Sequence, residues 1–279
     1  MSARRTLLFV PGARPDRFEK AVCAGADMVC VDLEDSVQPQ RKDSARTAAI
    51  KWLVTEGSGP ERIVRINSLK TRAGLVDLVA IADASPQNGL IFLPKVDGPD
   101  ELRITDAILS EAKCPLGMIA LIESLDGVEN VQAISTASTR LEMIMFGAVD
   151  FAAELGCDLA EQPLAYARSR IIHAARRAGI SAMDVPCIAV HDHEILISET
   201  EAARALGFSG KAILHPANVK TVNAAFTPTA QETAKAQEIV AAFEASETGL
   251  VLIDGKLVEK PVIRKMEQVL SAAKAAGLA

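Results

Sequence analysis

Aromatic residues are scarce in this chain: eight phenylalanines, one tyrosine and one tryptophan among 279 residues. A β-sandwich core draws on aromatic and β-branched alternation, so the scarcity argues against one. The five cysteines (Cys23, Cys30, Cys114, Cys157 and Cys187) are odd in number and widely spread, with no C-x-x-C pair. That pattern argues against a disulfide framework or a zinc cage and fits reduced thiols in the cytoplasm. No apolar run reaches the eighteen or so residues of a membrane span. The apolar stretch before Pro11 is also too short for the core of a signal peptide. No Lys/Arg cluster breaks a balance of 30 basic against 36 acidic residues and a net charge of −6. A nucleic-acid partner is therefore not expected, whereas a small anionic ligand needs only a local basic pocket. No G-x-G-x-x-G follows any strand, which argues against a doubly wound dinucleotide fold.

What is abundant is aliphatic. Hydrophobic residues make up 49% of the chain, the composition of buried parallel strands covered by helices. Short apolar runs read as strands at Thr6–Pro11, Met28–Leu33, Arg62–Ile66, Gly89–Pro94, Leu116–Ile122, Met143–Gly147, Ser181–Val185 and Lys211–His215. Helical spacing fills the intervals, at Arg14–Ala24, Lys42–Thr55, Thr71–Asp83, Asp100–Ala112, Gly127–Ser138, Gln162–Ala178 and His193–Leu206. Eightfold strand–helix alternation is the pattern of an α/β (β/α)₈ barrel, a TIM barrel, with Val, Ile and Leu expected in its interior layers. The catalytic barrel is expected over residues 1–226. A C-terminal extension is expected over 227–279, built as helix (Pro228–Phe243), hairpin (Leu250–Val258, turning at Asp254-Gly255) and helix (Val262–Ala276). That extension is read as a lid.

In such a barrel the chemistry sits at the carboxyl ends of the strands. Those ends carry Glu34 and Asp35, Arg65, Lys95, Glu123, Asp150, Asp184 and His215. Glu123 and Asp150 stand at neighbouring strand ends, one βα unit apart. Two such carboxylates repel unless a cation or proton is shared, and hard oxygen donors favour Mg²⁺. The competing reading has Asp150 capping the next helix and Glu123 pairing with a lysine. An inward Arg65 is costly unless it meets an anion. Its fork suits a substrate carboxylate, and a structural pair with Glu34 or Asp35 is the alternative. Lys95 is expected to be a charged, paired lysine rather than a Schiff-base lysine. His215 is expected to be structural, and the stretch His191-Asp-His193 to cap a helix.

The runs Arg5-Thr-Leu-Leu-Phe-Val-Pro-Gly-Ala-Arg-Pro-Asp-Arg-Phe, Val31-Asp-Leu-Glu-Asp-Ser-Val, Val64-Arg-Ile-Asn, Pro94-Lys, Ile122-Glu, Phe146-Gly-Ala-Val-Asp and Gly207-Phe-Ser-Gly-Lys-Ala-Ile-Leu-His-Pro occur in that order. Together they resemble the citrate lyase β-subunit-like (HpcH/HpaI aldolase) family, which includes malyl-CoA and citramalyl-CoA lyases. The resemblance spans about residues 4–265. It implies a Mg²⁺-dependent lyase that acts on an acyl-CoA thioester and assembles as a homo-oligomer, a trimer. By resemblance, Glu123 and Asp150 bind the metal and Arg65 contacts the substrate carboxylate and developing oxyanion. Phe9, Arg14 and Lys20 hold coenzyme A, and Glu34 and Asp35 support Arg65 and metal-bound water. Many relatives read Gly-Lys-Met-Val/Ile-Asp-Lys-Pro near the C-terminus, where the aspartate enters a neighbouring subunit's site as the acid–base group. This chain reads Gly255-Lys-Leu-Val-Glu-Lys-Pro, with Glu259 in that place. Glutamate keeps the carboxyl but adds a methylene. A thioester-hydrolysing step is the family activity that this change argues against most.

Overall fold

Each apolar run forms a strand, and the eight close into one parallel barrel. The computed structural model describes residues 3–55, 57–246, 250–253 and 255–278. The strands are β1 (Thr6–Pro11), β2 (Met28–Asp32), β3 (Glu61–Arg65), β4 (Leu90–Leu93), β5 (Gly117–Ile122), β6 (Leu141–Phe146), β7 (Ser181–Asp184) and β8 (Gly210–Ile213). Closure is made by β1 pairing with β8. The helices between them are α1 (Phe18–Val22), α2 (Lys42–Leu53), α3 (Arg72–Ala84), α4 (Pro99–Glu111), α5 (Leu125–Ile134), α6 (Ala148–Leu155), α7 (Glu161–Ala178) and α8 (His193–Leu206).

Side chains alternate across each strand, so every strand feeds two cores. Outward residues such as Val29, Val31, Val64 and Ile144 pack under the helices. Inward ones fill the barrel: Leu7, Met28, Cys30, Ile63, Leu90, Phe92, Ile119, Leu121, Met143, Met145, Met183 and Ala212. The expected Val/Ile/Leu interior is thus corrected. Four of these twelve are methionines and none is valine. Unbranched, flexible thioethers fill an irregular tapering space, while the buried valines of the barrel strands, stiff at χ1, face the regular helical layer.

Two features of the sequence set where the helices start. Ser124 caps α5 by accepting from the Gly127 amide at 3.0 Å, so the chain turns sharply just after Glu123. Asp192 caps α8 by accepting from Ile195, as expected for that stretch. The expected helix at Arg14–Ala24 is shorter than its pattern: Pro15–Arg17 form a 3₁₀ turn and only Phe18–Val22 is α-helical. Helix α6 has no counterpart among the expected helices, which pass from Gly127–Ser138 to Gln162–Ala178.

After β8 come α9 (Val219–Phe226), α10 (Ala230–Glu244), β9 (Val251–Ile253), β10 (Lys256–Val258) and α11 (Lys260–Ala275). Helix α10 opens with a full capping box between Thr229 and Glu232. The hairpin pairs Leu252 with Leu257; its expected turn residue Asp254 lies outside the described residues. Lys265, Val269 and Ala272 of α11 line a cavity of about 600 Å³ together with Arg4, Arg5 and Ser181. These barrel residues lie at the amino ends of the strands, so α11 sits opposite the carboxyl-end mouth of its own barrel. No helix among the described residues is long and apolar enough to cross a membrane.

Candidate active site

Alternation carries an ionisable side chain to the inner face at the top of β2, β3 and β5. Asp32 continues the inward series Met28, Cys30, and Arg65 continues Ile63; the two are partners in the β2–β3 register. Glu123 continues Ile119 and Leu121 on β5. These groups, with Glu34, Lys95 and Asp150, form the mouth of the barrel.

Arg65 is held on an edge and a face. Its Nε donates to Asp32 Oδ1 at 2.7 Å, and a terminal nitrogen lies 3.4 Å from Glu34 Oε2. Its guanidinium stacks over the Phe9 ring at 5.0 Å, a cation–π contact. Burial disfavours its charge, but Asp32 and Glu34 more than compensate, and its pKa is raised. Asp32, only 3% exposed, also accepts from the Glu34 and Ser36 amides. Burial pushes its carboxyl up, but the hydrogen bonds and charge of Arg65 outweigh this and hold it below the usual range. Asp32 is not among the residues expected to support Arg65; of the expected pair, Glu34 does contact it and Asp35 has no recorded contact with it. Counting alternation back from the strand end would have found Asp32. Asp35 is corrected accordingly: it points outward, and its nearest ionic contact is Lys95 at 3.9 Å.

Glu123 is 6% exposed. Its Oε1 accepts from the Lys95 amide at 2.9 Å, so its recorded partner is a backbone N–H rather than the expected lysine ammonium. Burial, then the negative charges of Glu34 and Asp150 and a hydrogen bond with Asp150, push its carboxyl up to about 8. Asp150 lies in the first turn of α6, whose N-cap is Gly147, so it is not the cap, and its carboxyl reaches Glu123 instead. Gly147 matters sterically: a Cβ there would fall 2.4 Å from Glu123 Cβ and 2.7 Å from Oε2. Gly147→Ala is therefore expected to displace Glu123, lowering stability by about 1–3 kcal/mol and kcat by about 10²-fold. Thermal melts and steady-state rates would check both.

Glu34, buried, lies between two cations. Lys95 Nζ is 3.1 Å from its Oε1 and Arg65 sits at its Oε2. Burial and Asp35 raise its pKa against the pull of those cations. Lys95 feels burial too, but Glu34, Asp35 and Glu123 raise its pKa overall. It is therefore a paired ammonium, as expected, and not the neutral amine of a Schiff-base lysine.

Other expected positions fall elsewhere. Asp184 is corrected: Met183 faces the barrel interior, so Asp184 faces the helices, where it pairs with Arg168 at 3.1 Å and with Lys211 at 3.0 Å. His215 accepts from the Ala217 amide and starts a short 3₁₀ turn, a structural role as expected. Arg14 and Lys20 are exposed beside the β1 end, and Arg14 is paired with Asp16 at 2.7 Å. Glu259 is exposed at the N-cap of α11 with no side-chain cap bond. Among the described residues, no group of three or more His, Cys, Asp or Glu side chains is arranged to hold a metal.

Known proteins share both the sequence and the fold. A family model described as HpcH/HpaI aldolase/citrate lyase matches residues 5–216, and one described as C-C bond lyase of the TIM-barrel fold matches residues 161–278. The citrate lyase subunit beta of Leuconostoc mesenteroides subsp. cremoris is 35% identical over 98% of this chain and 94% of its own length. A (3S)-malyl-CoA thioesterase of Cereibacter sphaeroides is also 35% identical, over 97% of this chain and 95% of its own. Among solved structures, the CitE protein of Mycobacterium tuberculosis in complex with magnesium, acetoacetate and coenzyme A superposes with a TM-score of 0.82. It is 30% identical, with 98% of each chain covered.

Proposed function

The chain belongs to the HpcH/HpaI aldolase/citrate lyase family of carbon–carbon lyases, and from that premise we propose that it cleaves citramalyl-CoA or malyl-CoA to acetyl-CoA and a 2-oxo acid, pyruvate or glyoxylate. The observation that carries this reading is the mouth itself: paired carboxylates at Glu123 and Asp150, beside an arginine whose fork is only partly engaged.

The two carboxylates fit Mg²⁺, because Glu123 is held at about 8 by burial and by its acidic neighbours. A divalent ion would relieve that repulsion, and Mg²⁺ takes one or two carboxylates, leaving further positions to water and substrate oxygens. When bound there, the ion supplies Lewis acidity to the substrate's oxygens and lowers the pKa of its hydroxyl. Arg65 directs its remaining N–H groups at the substrate carboxylate and at charge developing on the thioester oxygen. Asp32 and Phe9 keep that guanidinium from rotating. As the hydroxyl proton leaves, the C–C bond breaks and its electron pair passes to the thioester as an enolate, which a proton on carbon converts to the acetyl group. Arg14 and Lys20, both exposed, are the proposed partners of the phosphates of coenzyme A. Glu259 is the proposed proton carrier. Helix α11 lies at the amino end of its own barrel, so Glu259 would act in a neighbouring copy. The exposed hairpin pair Leu252 (70%) and Leu257 (59%) supports burial against such a copy, in a homotrimer with residues 227–279 as a mutual lid. Five free thiols support a reducing, cytoplasmic location.

A second reading, favoured by the identity to citrate lyase subunit beta, has the thioester carried on an acyl carrier protein. Incubating the purified protein with Mg²⁺ and either acyl-CoA, and following release of acetyl-CoA with pyruvate or glyoxylate, tests the first reading. No cleavage of either, with a stable complex formed on a carrier protein, would establish the second. Glu259→Gln is expected to lower kcat by about 10²-fold with little change in thermal stability. Unchanged turnover would remove Glu259 from the chemistry.

A further inference from the structure

Four carboxylates crowd the mouth, yet an ion that must bind substrate oxygens has room for about two of them. Glu34 is the candidate intruder: it is buried, and its charge is felt by Glu123. What restrains it is unusual in the backbone. Lys95 follows Phe92 and Pro94, and strict alternation from inward-facing Phe92 would send its side chain toward the helices. Instead Lys95 has φ +54°, a left-handed conformation that is strained for a non-glycine residue. That turn brings its Nζ to 3.1 Å from Glu34 Oε1 while its own amide donates to Glu123 Oε1 at 2.9 Å. Lys70 Nζ donates to the Lys95 carbonyl at 3.0 Å and anchors the turn from the other side. Arg65 stands 3.4 Å from Oε2, which has no hydrogen-bond partner among the described residues, so the close hold on this carboxylate is the ammonium at Oε1.

We propose that Lys95 is a positioning residue that withholds Glu34 from the metal, keeping the ion's free positions open for substrate. This rests on the reading of Glu123 and Asp150 as the metal pair. The consequence is counterintuitive: removing the ammonium strengthens ion binding while it weakens catalysis. Without Nζ, Oε1 of Glu34 is free to become a third carboxylate ligand, and affinity rises with ligand charge.

The test uses Mn²⁺ as the probe on the full-length protein, with free ion counted by electron paramagnetic resonance and inner-sphere water by proton relaxation. Lys95→Met keeps the length of the side chain without its charge. It is expected to bind Mn²⁺ about 3–10-fold more tightly, with about one fewer bound water and a kcat lowered at least tenfold. Lys95→Gln serves as a second uncharged variant if the first does not fold, and Lys95→Arg should restore wild-type affinity. In a Glu34→Gln background the tightening should disappear, because the freed carboxylate is gone. Unchanged or weaker Mn²⁺ binding in Lys95→Met overturns the proposal. So does tightening that persists with Glu34→Gln, since that would be the bare loss of a positive charge. Wild-type Mn²⁺ binding by Glu123→Gln would instead overturn the metal pair itself, which separates the two failures.

Discussion

Glu123→Gln is expected to abolish cation-dependent turnover, by about 10³-fold or more, because several kcal/mol of Lewis-acid stabilisation depend on the ion being held. The same variant has a pH signature that does not depend on activity. In the folded, cation-free protein the Glu123 carboxyl is pushed up to about 8 from an ordinary value of 4.5. The folded state therefore keeps a proton that the unfolded chain has already released. Where the native state binds more protons, stability falls as pH rises. The protonated group's contribution is full below pH 4.5, the unfolded value, and is lost as pH rises through about 8. A bound divalent cation displaces that proton, so its apparent affinity should rise by up to tenfold per pH unit over the upper part of this window. Thermal melts without cation and calorimetric titrations with Mg²⁺ between pH 6 and pH 8.5 would show both slopes. Glu123→Gln should flatten them. A wild-type melting temperature that climbs over this interval without cation would contradict the assignment.

Arg65→Met carries the second large effect, and its larger part is on stability. Asp32 is 3% exposed and Glu34 6%, and both rely on this guanidinium. Deleting one partner of a buried ion network leaves uncompensated charge and costs about 3–5 kcal/mol. Turnover should fall by about 10³-fold as well, since the substrate carboxylate loses its fork. The double variant Asp32→Asn with Arg65→Met removes most of the orphaned charge. It should recover much of the melting temperature and none of the activity. Recovery of activity in the double variant would place Arg65 among structural residues only. Arg65→Lys should also fail catalytically, because a single ammonium cannot satisfy Asp32 edge-on, stack on Phe9 and still present a fork.

Much of this protein is legible without coordinates, for identifiable reasons. Eight apolar runs separated by helical spacing define a barrel because each run must be buried on both faces, and only closure under a ring of helices does that for all eight. All eight strands begin and end within two residues of their sequence pattern; the largest differences are at β6, which begins two residues early at Leu141, and β8, which ends two residues early at Ile213. The family motifs single out Arg65 at the end of β3, Glu123 just past β5 and Asp150 in the first turn of α6, positions where the main chain leaves the barrel at its carboxyl end.

What the sequence left open are matters of side-chain direction and of contacts between distant segments. Asp32, not Asp35, holds Arg65. Two carboxylates three residues apart look alike in sequence, but pleating turns only one of them inward. Asp184 resembled another mouth carboxylate until its neighbour Met183 took the inward side. Lys95 reaches Glu34 only through a left-handed turn that no composition or spacing announces. Gly147 is required because the Glu123 side chain lies across it from the adjacent strand. The residue types and their order along the chain were set by local patterning, which sequence records directly. Which of those charges meet, and which are kept apart, was decided by barrel closure. Closure brings together segments from opposite ends of the barrel sequence, as where Thr6 pairs with Lys211, within distances where a few tenths of an ångström separate an ion ligand from a bystander.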